Sequence, residues 1–330
     1  MIKKTIGVLI LFIWMNALSH IIVLPSYLLG KNKEASQLTK IITTNLLSYI
    51  YQKQFESPVY YNGIMAKTPN KVDVIIANHI STIDYALLSS ILEKFNFDEN
   101  YFIIKRSSTL LPIGGFLFAS DNDIKLSRKW KEDENHIFRE LKNITSGTII
   151  IFPEGTRFTE DKQKEAINFS KENNYPIYEN TLVPRTKGIW KILSYLHKEN
   201  KLGNMFDLTL IIEKFIKKSA FMNNILLKDM GKSYVIMRNI TLPDTKILYN
   251  KDIFKQWFFF MWKQKDNLIT NHSNYVYNKL ESEYKTSNYI LIITTIIVFI
   301  TLIKKFNWKY LSISFALIYL ITFYRCYLRK

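Results

Sequence analysis

The chain has 330 residues, enough for one sizeable α/β domain with membrane segments and short for two enzymatic domains. Its single cysteine, Cys326, excludes a disulfide framework, a Cys-based zinc site and a thiol nucleophile, and its five histidines are scattered rather than clustered. A formal charge of +17 together with 15% aromatic residues calls for an anionic partner, whether nucleic acid, a membrane surface or an acidic substrate.

The first element is an apolar stretch from Thr5 to Gly30, free of Asp, Glu, Lys and Arg and flanked by Lys3, Lys4, Lys31 and Lys33. About 20 apolar residues cross a bilayer, so one span is expected here. A signal peptide is the alternative, but the run continues past the weak Ala17-Leu18-Ser19 site, which favours a retained anchor. Asn16, His20 and Pro25 also permit a kinked or hairpin segment lying in the interface. Lysines on both flanks leave its orientation open.

The middle of the chain alternates apolar, β-rich runs with amphipathic ones. Strands are predicted at Val72–Ala77, Tyr101–Ile104, Asp123–Leu126 and Thr148–Phe152, with later ones near Phe206–Ile212 and Ser233–Asn239. Helices are predicted at Tyr85–Phe95, Lys131–Lys142 and Glu160–Asn173. That alternation argues for an α/β fold, a central and mostly parallel sheet flanked by helices. Two further apolar runs, Tyr289–Ile303 and Tyr310–Tyr324, are separated by Lys304, Lys305 and Lys309. At about 1.5 Å per helical residue each falls short of a ~30 Å hydrocarbon core, so a shallow hairpin or interfacial helices compete with true spans. Apolar blocks at both ends favour a lipid bilayer as the partner of the basic charge. No RNP-like, zinc-finger or basic-zipper pattern is found, so nucleic acid is not expected.

In open α/β sheets chemistry gathers beyond the C-terminal ends of the strands. Three polar clusters fall there: NHISTID after Val72–Ala77, KRSS after Tyr101–Ile104, and PEGTR after Thr148–Phe152. On one regular helix His79 and Asp84 would point about 140° apart. They meet if His79 lies in the strand-to-helix loop and Asp84 in the first helical turn, with Ser81 at the N-cap. A neutral imidazole can then take a proton from an attacking hydroxyl while the carboxylate fixes its tautomer. Ser81 to Asp84 is equally a capping-box pattern that needs no catalysis, so the pair alone is a weak signal. Ser81 stands too close in sequence to His79 for a serine-protease-like triad.

PEGTR reads either as a strand-ending turn or as an acceptor site. In the second reading Arg157 makes a forked contact to phosphate, Glu154 holds that arginine or a substrate hydroxyl, and Gly155 lets backbone approach the ligand. Lys105, Arg106 and Arg128 also follow strands; each is either a solvated surface charge or a phosphate contact. Leu111–Phe116 (LPIGGF) reads as a tight turn against an apolar groove or as plain packing.

Together these clusters resemble the glycerolipid acyltransferase family, whose members acylate lysophosphatidic acid. NHISTID matches its N-H-x-S-x-x-D block, FPEGTR its third block, KRSSTLLPIGGFLFASDNDIKLSR resembles its second, and LVPRTKG its proline-centred fourth. RKWKEDENHI, FDLTLII and WKQKDNL look like the branch of 1-acyl-sn-glycerol-3-phosphate and lysocardiolipin acyltransferases. In that branch lysocardiolipin enzymes typically carry an acidic residue where this chain has Arg157, and phosphatidate-forming relatives carry arginine.

The resemblance implies acyl transfer from acyl-CoA, a co-substrate, to a lysophospholipid, with no metal and no bound cofactor. His79 would be the base and Asp84 its partner; Lys105, Arg128 and Arg157 would hold phosphate. Glu154, Gly155 and Thr156 would shape the acceptor site, supported by Pro184. The expected organisation is an anchor over 1–33, a catalytic domain over 34–287 and a membrane-associated hairpin over 288–330, on an internal membrane such as the endoplasmic reticulum if the source is eukaryotic. Lysocardiolipin acylation, CoA-independent transacylation, lysophospholipid hydrolysis and an inactive lipid-binding protein are the alternative readings.

Overall fold

Strand β2 (Val72–Ala77) sets the frame, because every one of its residues is buried. A strand covered on both faces reads as a continuous apolar run rather than an alternating one. Its one charged residue, Asp73, is buried because three donors satisfy it: the Thr68 N–H at 3.0 Å, the Thr68 hydroxyl at 2.7 Å and the Asn204 N–H at 2.7 Å.

The computed structural model describes residues 57–81, 84–110, 123–214 and 230–281, with isolated positions in the terminal segments. Apart from those positions, the apolar runs of both termini lie outside the described residues, and so does the turn expected at 111–116. Among the described residues no helix is long and apolar enough to cross a membrane.

The chain forms two compact units. The larger comprises Phe55–Tyr101 and Glu134–Glu281. It contains β1 (Val59–Asn62), β2, helix α1 (Asp84–Lys94), the start of β3 (Asn100–Lys105) and most of α2 (Trp130–Asn143). Then come β5 (Gly147–Ile151), α3 (Glu160–Glu172), α4 (Thr186–Lys198), β6 (Leu202–Ile212) and β7 (Ser233–Ile240). Short α5 (Thr245–Leu248), long α6 (Lys251–Thr270) and β8 (Asn278–Lys279) complete it. Within this unit the strand order is β5-β2-β6-β7-β1-β8. β2 runs parallel to both β5 and β6, pairing Ile75 with Ile150 and Ile76 with Asp207. β1 and β7 are also parallel, whereas β6–β7 and β1–β8 are antiparallel.

The helices bury the faces that their spacing dictates. On α4, Ile189, Ile192, Leu193 and Leu196 form a stripe at i, i+3, i+4 and i+7, each almost fully buried. Burying one such side chain contributes roughly 1.5–3 kcal/mol. Thr159 caps α3 by accepting from the Lys162 N–H, and Asn250 caps α6 by accepting from Asp252 and Ile253. The expected strands and helices appear with ends shifted by a residue or so, except that β6 begins at Leu202 rather than Phe206. Elements β1, β8, α4, α5 and α6 come in addition to those expected.

The smaller unit comprises Met1–Gln54, Phe102–Asp133 and Ser282–Lys330. Its described part holds the rest of β3, a 3-10 turn at Arg106–Leu110, and β4 (Ile124–Leu126) parallel to β3. Asp123 ties the pair by accepting from the Phe102 N–H at 3.0 Å.

Candidate active site

The sheet's last rung beside β2 is made by a side chain. Asn78 accepts from the Leu210 N–H at 2.8 Å and donates to the Leu210 carbonyl at 3.0 Å, so its amide does what a strand backbone would do. The main chain is thereby released from the sheet, and His79 follows in the loop. Asp84 opens α1, and its Oδ2 stands 2.8 Å from His79 Nδ1. The same oxygen accepts from the backbone N–H groups of Ile80 at 2.7 Å and Ser81 at 3.0 Å. The Asp84-to-Ser81 contact is the returning half of a capping box. Helix cap and histidine partner are therefore one atom, and the two readings of this segment coincide.

The Asp84 side chain is 1% exposed and that of His79 24%, so the carboxylate is sealed and the imidazole reachable. A carboxylate can only accept; pairing with Asp84 therefore puts the ring proton on Nδ1 and the lone pair on Nε2. Phe152 packs against the ring with centroids 4.5 Å apart.

Glu154 holds the backbone of this loop. It is buried, and it accepts from the His79 N–H at 2.8 Å through Oε1 and from the Leu182 N–H at 2.9 Å through Oε2. Its oxygens thus brace the histidine loop against the 179–184 segment. Burial pushes the Glu154 carboxyl up to about 8, against the lowering pull of those two N–H bonds and of Lys265; Asp84 adds to the rise. The His79 carbonyl in turn accepts from the Phe158 N–H at 2.8 Å.

Gly155 has φ +67, and a Cβ placed on it would stand 3.1 Å from Arg185 Nε. The left-handed backbone favours glycine there, and any larger side chain would also press on Arg185. Thr156 is half-buried in the same turn and Arg157 is exposed just after it. Pro184 is buried, and the Arg185 N–H donates to the Pro153 carbonyl at 2.8 Å, which joins the PEGTR and LVPRTKG segments. Arg185 was not among the expected site residues. Its place next to Gly155 comes from a pairing of two segments that no local pattern announces.

Lys105 and Arg128 lie in the smaller unit. Lys105 pairs with Leu126 in the β3–β4 register, so both basic residues stand at the same end of that parallel pair, exposed. Arg128 has φ +69, and its N–H is held by Asp133 at 2.8 Å. Among the described residues no group of three His, Cys, Asp or Glu side chains could hold a metal ion.

Residues 60–197 match the family model described as Acyltransferase. That stretch is similar to an acyltransferase domain. The chain is 25% identical over 289 residues to "Probable 1-acyl-sn-glycerol-3-phosphate acyltransferase 5" of Arabidopsis thaliana, covering 83% of this chain and 75% of that one. It is 27% identical over 213 residues to lysocardiolipin acyltransferase 1 of Mus musculus, covering 62% of this chain. It is 29% identical over 206 residues to 1-acyl-sn-glycerol-3-phosphate acyltransferase 2 of Arabidopsis thaliana, covering 60%. The chain spans about half the length of these last two, 55% and 51% respectively. The crystal structure of PlsC from Thermotoga maritima, a 1-acyl-sn-glycerophosphate (LPA) acyltransferase, has the same fold: TM-score 0.50 at 15% identity, over 83% of this chain and 99% of that one. The glycerolipid acyltransferase resemblance read from the motif blocks therefore stands, and so does the mixed α/β fold. The acyltransferase domain as matched contains His79, Asp84, Glu154 and Pro184 but ends before β6, β7 and α6.

Proposed function

We propose that this acyltransferase moves a fatty acyl group from acyl-CoA to the free hydroxyl of lysophosphatidic acid, forming phosphatidic acid. The observation that carries the reading is the 2.8 Å contact between half-exposed His79 and sealed Asp84, set beside the turn that carries Arg157. His79 Nε2 takes the proton of the acceptor hydroxyl as its oxygen attacks the thioester carbonyl carbon. The C–S bond then breaks, and the proton on the imidazolium passes to the leaving thiolate, giving free CoA. Asp84 holds the ring tautomer and stabilises the imidazolium while it is charged. The acyl-enzyme of a serine mechanism is unnecessary, because the acceptor supplies the nucleophile.

Arg157, with Lys105 and Arg128, is assigned to phosphate, for which a planar guanidinium offers two parallel donors. Glu154 and Pro184 act by holding the loops, Gly155 and Thr156 by shaping the turn. The apolar segments over 1–33 and 288–330 anchor the catalytic domain, 34–287, to an internal membrane, and acyl-CoA is a co-substrate rather than a resident cofactor. The likeness to a lysocardiolipin acyltransferase makes that acceptor the second reading.

The test is transfer of a labelled acyl group by membranes bearing the full chain, with lysophosphatidic acid, lysocardiolipin and uncharged lysophospholipids offered in parallel. Phosphatidic acid formed only when acyl-CoA is supplied is the expected result. Preferred acylation of lysocardiolipin would replace the acceptor, transfer without a thioester would replace the donor, and no transfer to any acceptor would overturn the proposal.

A further inference from the structure

One face of α6 grips both supports of His79, and its central residue is a lysine with no exposure at all. Lys265 Nζ donates to the Leu208 carbonyl at 2.6 Å, reaches the Ile76 carbonyl at 3.5 Å, and is ion-paired with buried Asp207. Ile76 and Asp207 are register partners on β2 and β6, at the end of β2 from which the chain runs through Asn78 into His79. Asp207 also takes the Arg238 Nε–H at 3.0 Å. The neighbouring positions on that helix face hold the other support. Trp262 donates its indole N–H to the Leu182 carbonyl at 3.0 Å. Asp266 accepts from the N–H groups of Glu179 at 2.9 Å and Asn180 at 2.7 Å, and from the Thr181 hydroxyl at 3.1 Å. Leu182 is the residue whose N–H Glu154 takes while it holds His79.

A buried ammonium is a poor device for stability alone. Its desolvation costs several kcal/mol, and an apolar side chain of similar volume is often as good or better. What the ammonium does and an apolar group does not is tie two strand carbonyls to one point.

We propose that Lys265 is a positioning residue for acyl transfer: paired with Asp207, it fastens the end of β2 to β6 and so fixes the loop that presents His79. The proposal rests on His79 being the base. The charged groups facing Lys265 are Asp207, Arg238 and Glu154, and those facing Glu154 are Lys265 and Asp84. Lys265 therefore also favours the ionised Glu154 carboxylate, the form that accepts most strongly from the His79 N–H.

The test compares the full chain with K265M and with K265M/D207N, in which the carboxylate ion-paired with Lys265 is neutralised as well. K265M is expected to lower kcat about 10- to 100-fold, the usual consequence of a misplaced catalytic group. The KM values for donor and acceptor should stay within about twofold. The rising limb of its kcat–pH profile should move to higher pH, because Glu154 loses its neighbouring positive charge. The double variant is expected to regain the parent's thermal midpoint without regaining its kcat or its pH limb. A lysine that merely holds the fold predicts the opposite. Recovery of kcat together with the midpoint, or a parental kcat and pH profile in folded K265M, overturns the proposal. H79A is run alongside: its inactivity beside a fully active K265M/D207N sinks only the Lys265 proposal, whereas an active H79A sinks the base assignment itself.

Discussion

The loop between β2 and α1 and the turn after β5 meet at Glu154 yet are built on opposite plans. The first is pinned by buried groups: Asn78 is locked to Leu210, Asp84 gathers three donors on one oxygen, and the His79 N–H ends on Glu154. In the second, the cations Arg157 and Arg185 stand in solvent around a glycine with φ +67. Proton transfer depends steeply on geometry and so needs a rigid mount. The phosphate contact proposed for Arg157 needs a guanidinium that a ligand can reach, and that residue is exposed.

That contrast predicts effects of different kinds as well as sizes. H79A should cut kcat by about 10²–10⁴, the range for loss of a general base, with little change in acceptor KM. D84N should come next. The amide keeps one oxygen for three donors, so both kcat and the thermal midpoint should fall; a variant that lost only stability would reduce Asp84 to a helix cap. R157A should act mainly on binding, raising the lysophosphatidic acid KM by roughly 10- to 100-fold, equivalent to about 1.5–3 kcal/mol for a charge-assisted contact. An unchanged KM would move phosphate recognition to Arg185 or to the smaller unit, and R185A would then carry the effect. G155A should cost about 1–2 kcal/mol of stability from its left-handed backbone, plus crowding against Arg185, measurable as a shifted denaturant midpoint.

A different kind of effect is one of slope. Glu154 titrates near 8 in the fold against about 4.5 as an isolated side chain, so below about 4.5 it is protonated folded or unfolded and its contribution is fully present. As pH rises towards 8 the unfolded chain gives up the proton first, and that contribution is lost. E154Q cannot titrate. The stability of the parent relative to E154Q should therefore decline from about pH 4.5 to 8 and level off above, followed by urea unfolding at a series of pH values.

The local chemistry was legible because it is local. An apolar run, a histidine, a capping pattern and a helix lie within a few residues, and physics leaves few ways to arrange them. FPEGTR and LVPRTKG were legible as words, though the reach of the first was not. Nothing near Glu154 in sequence announces its partners, N–H groups 75 and 28 residues away. The buried lysine was less legible still. FDLTLII and WKQKDNL each stood out, but nothing in either says that Asp207 and Lys265 meet. A lysine in an amphipathic helix is ordinarily solvated, and only the packing of α6 against the end of β6 reverses that expectation.

The reach of α6 bears on where this chain can be cut. The four motif blocks of the resemblance all lie within the matched stretch, which ends at residue 197, so a fragment ending there would carry every one of them. It would lack β6, which closes one side of β2, and Trp262, Lys265 and Asp266, which hold what β2 and Glu154 hold in turn. The supports of His79 thus extend to a helix that lies beyond all four of those blocks.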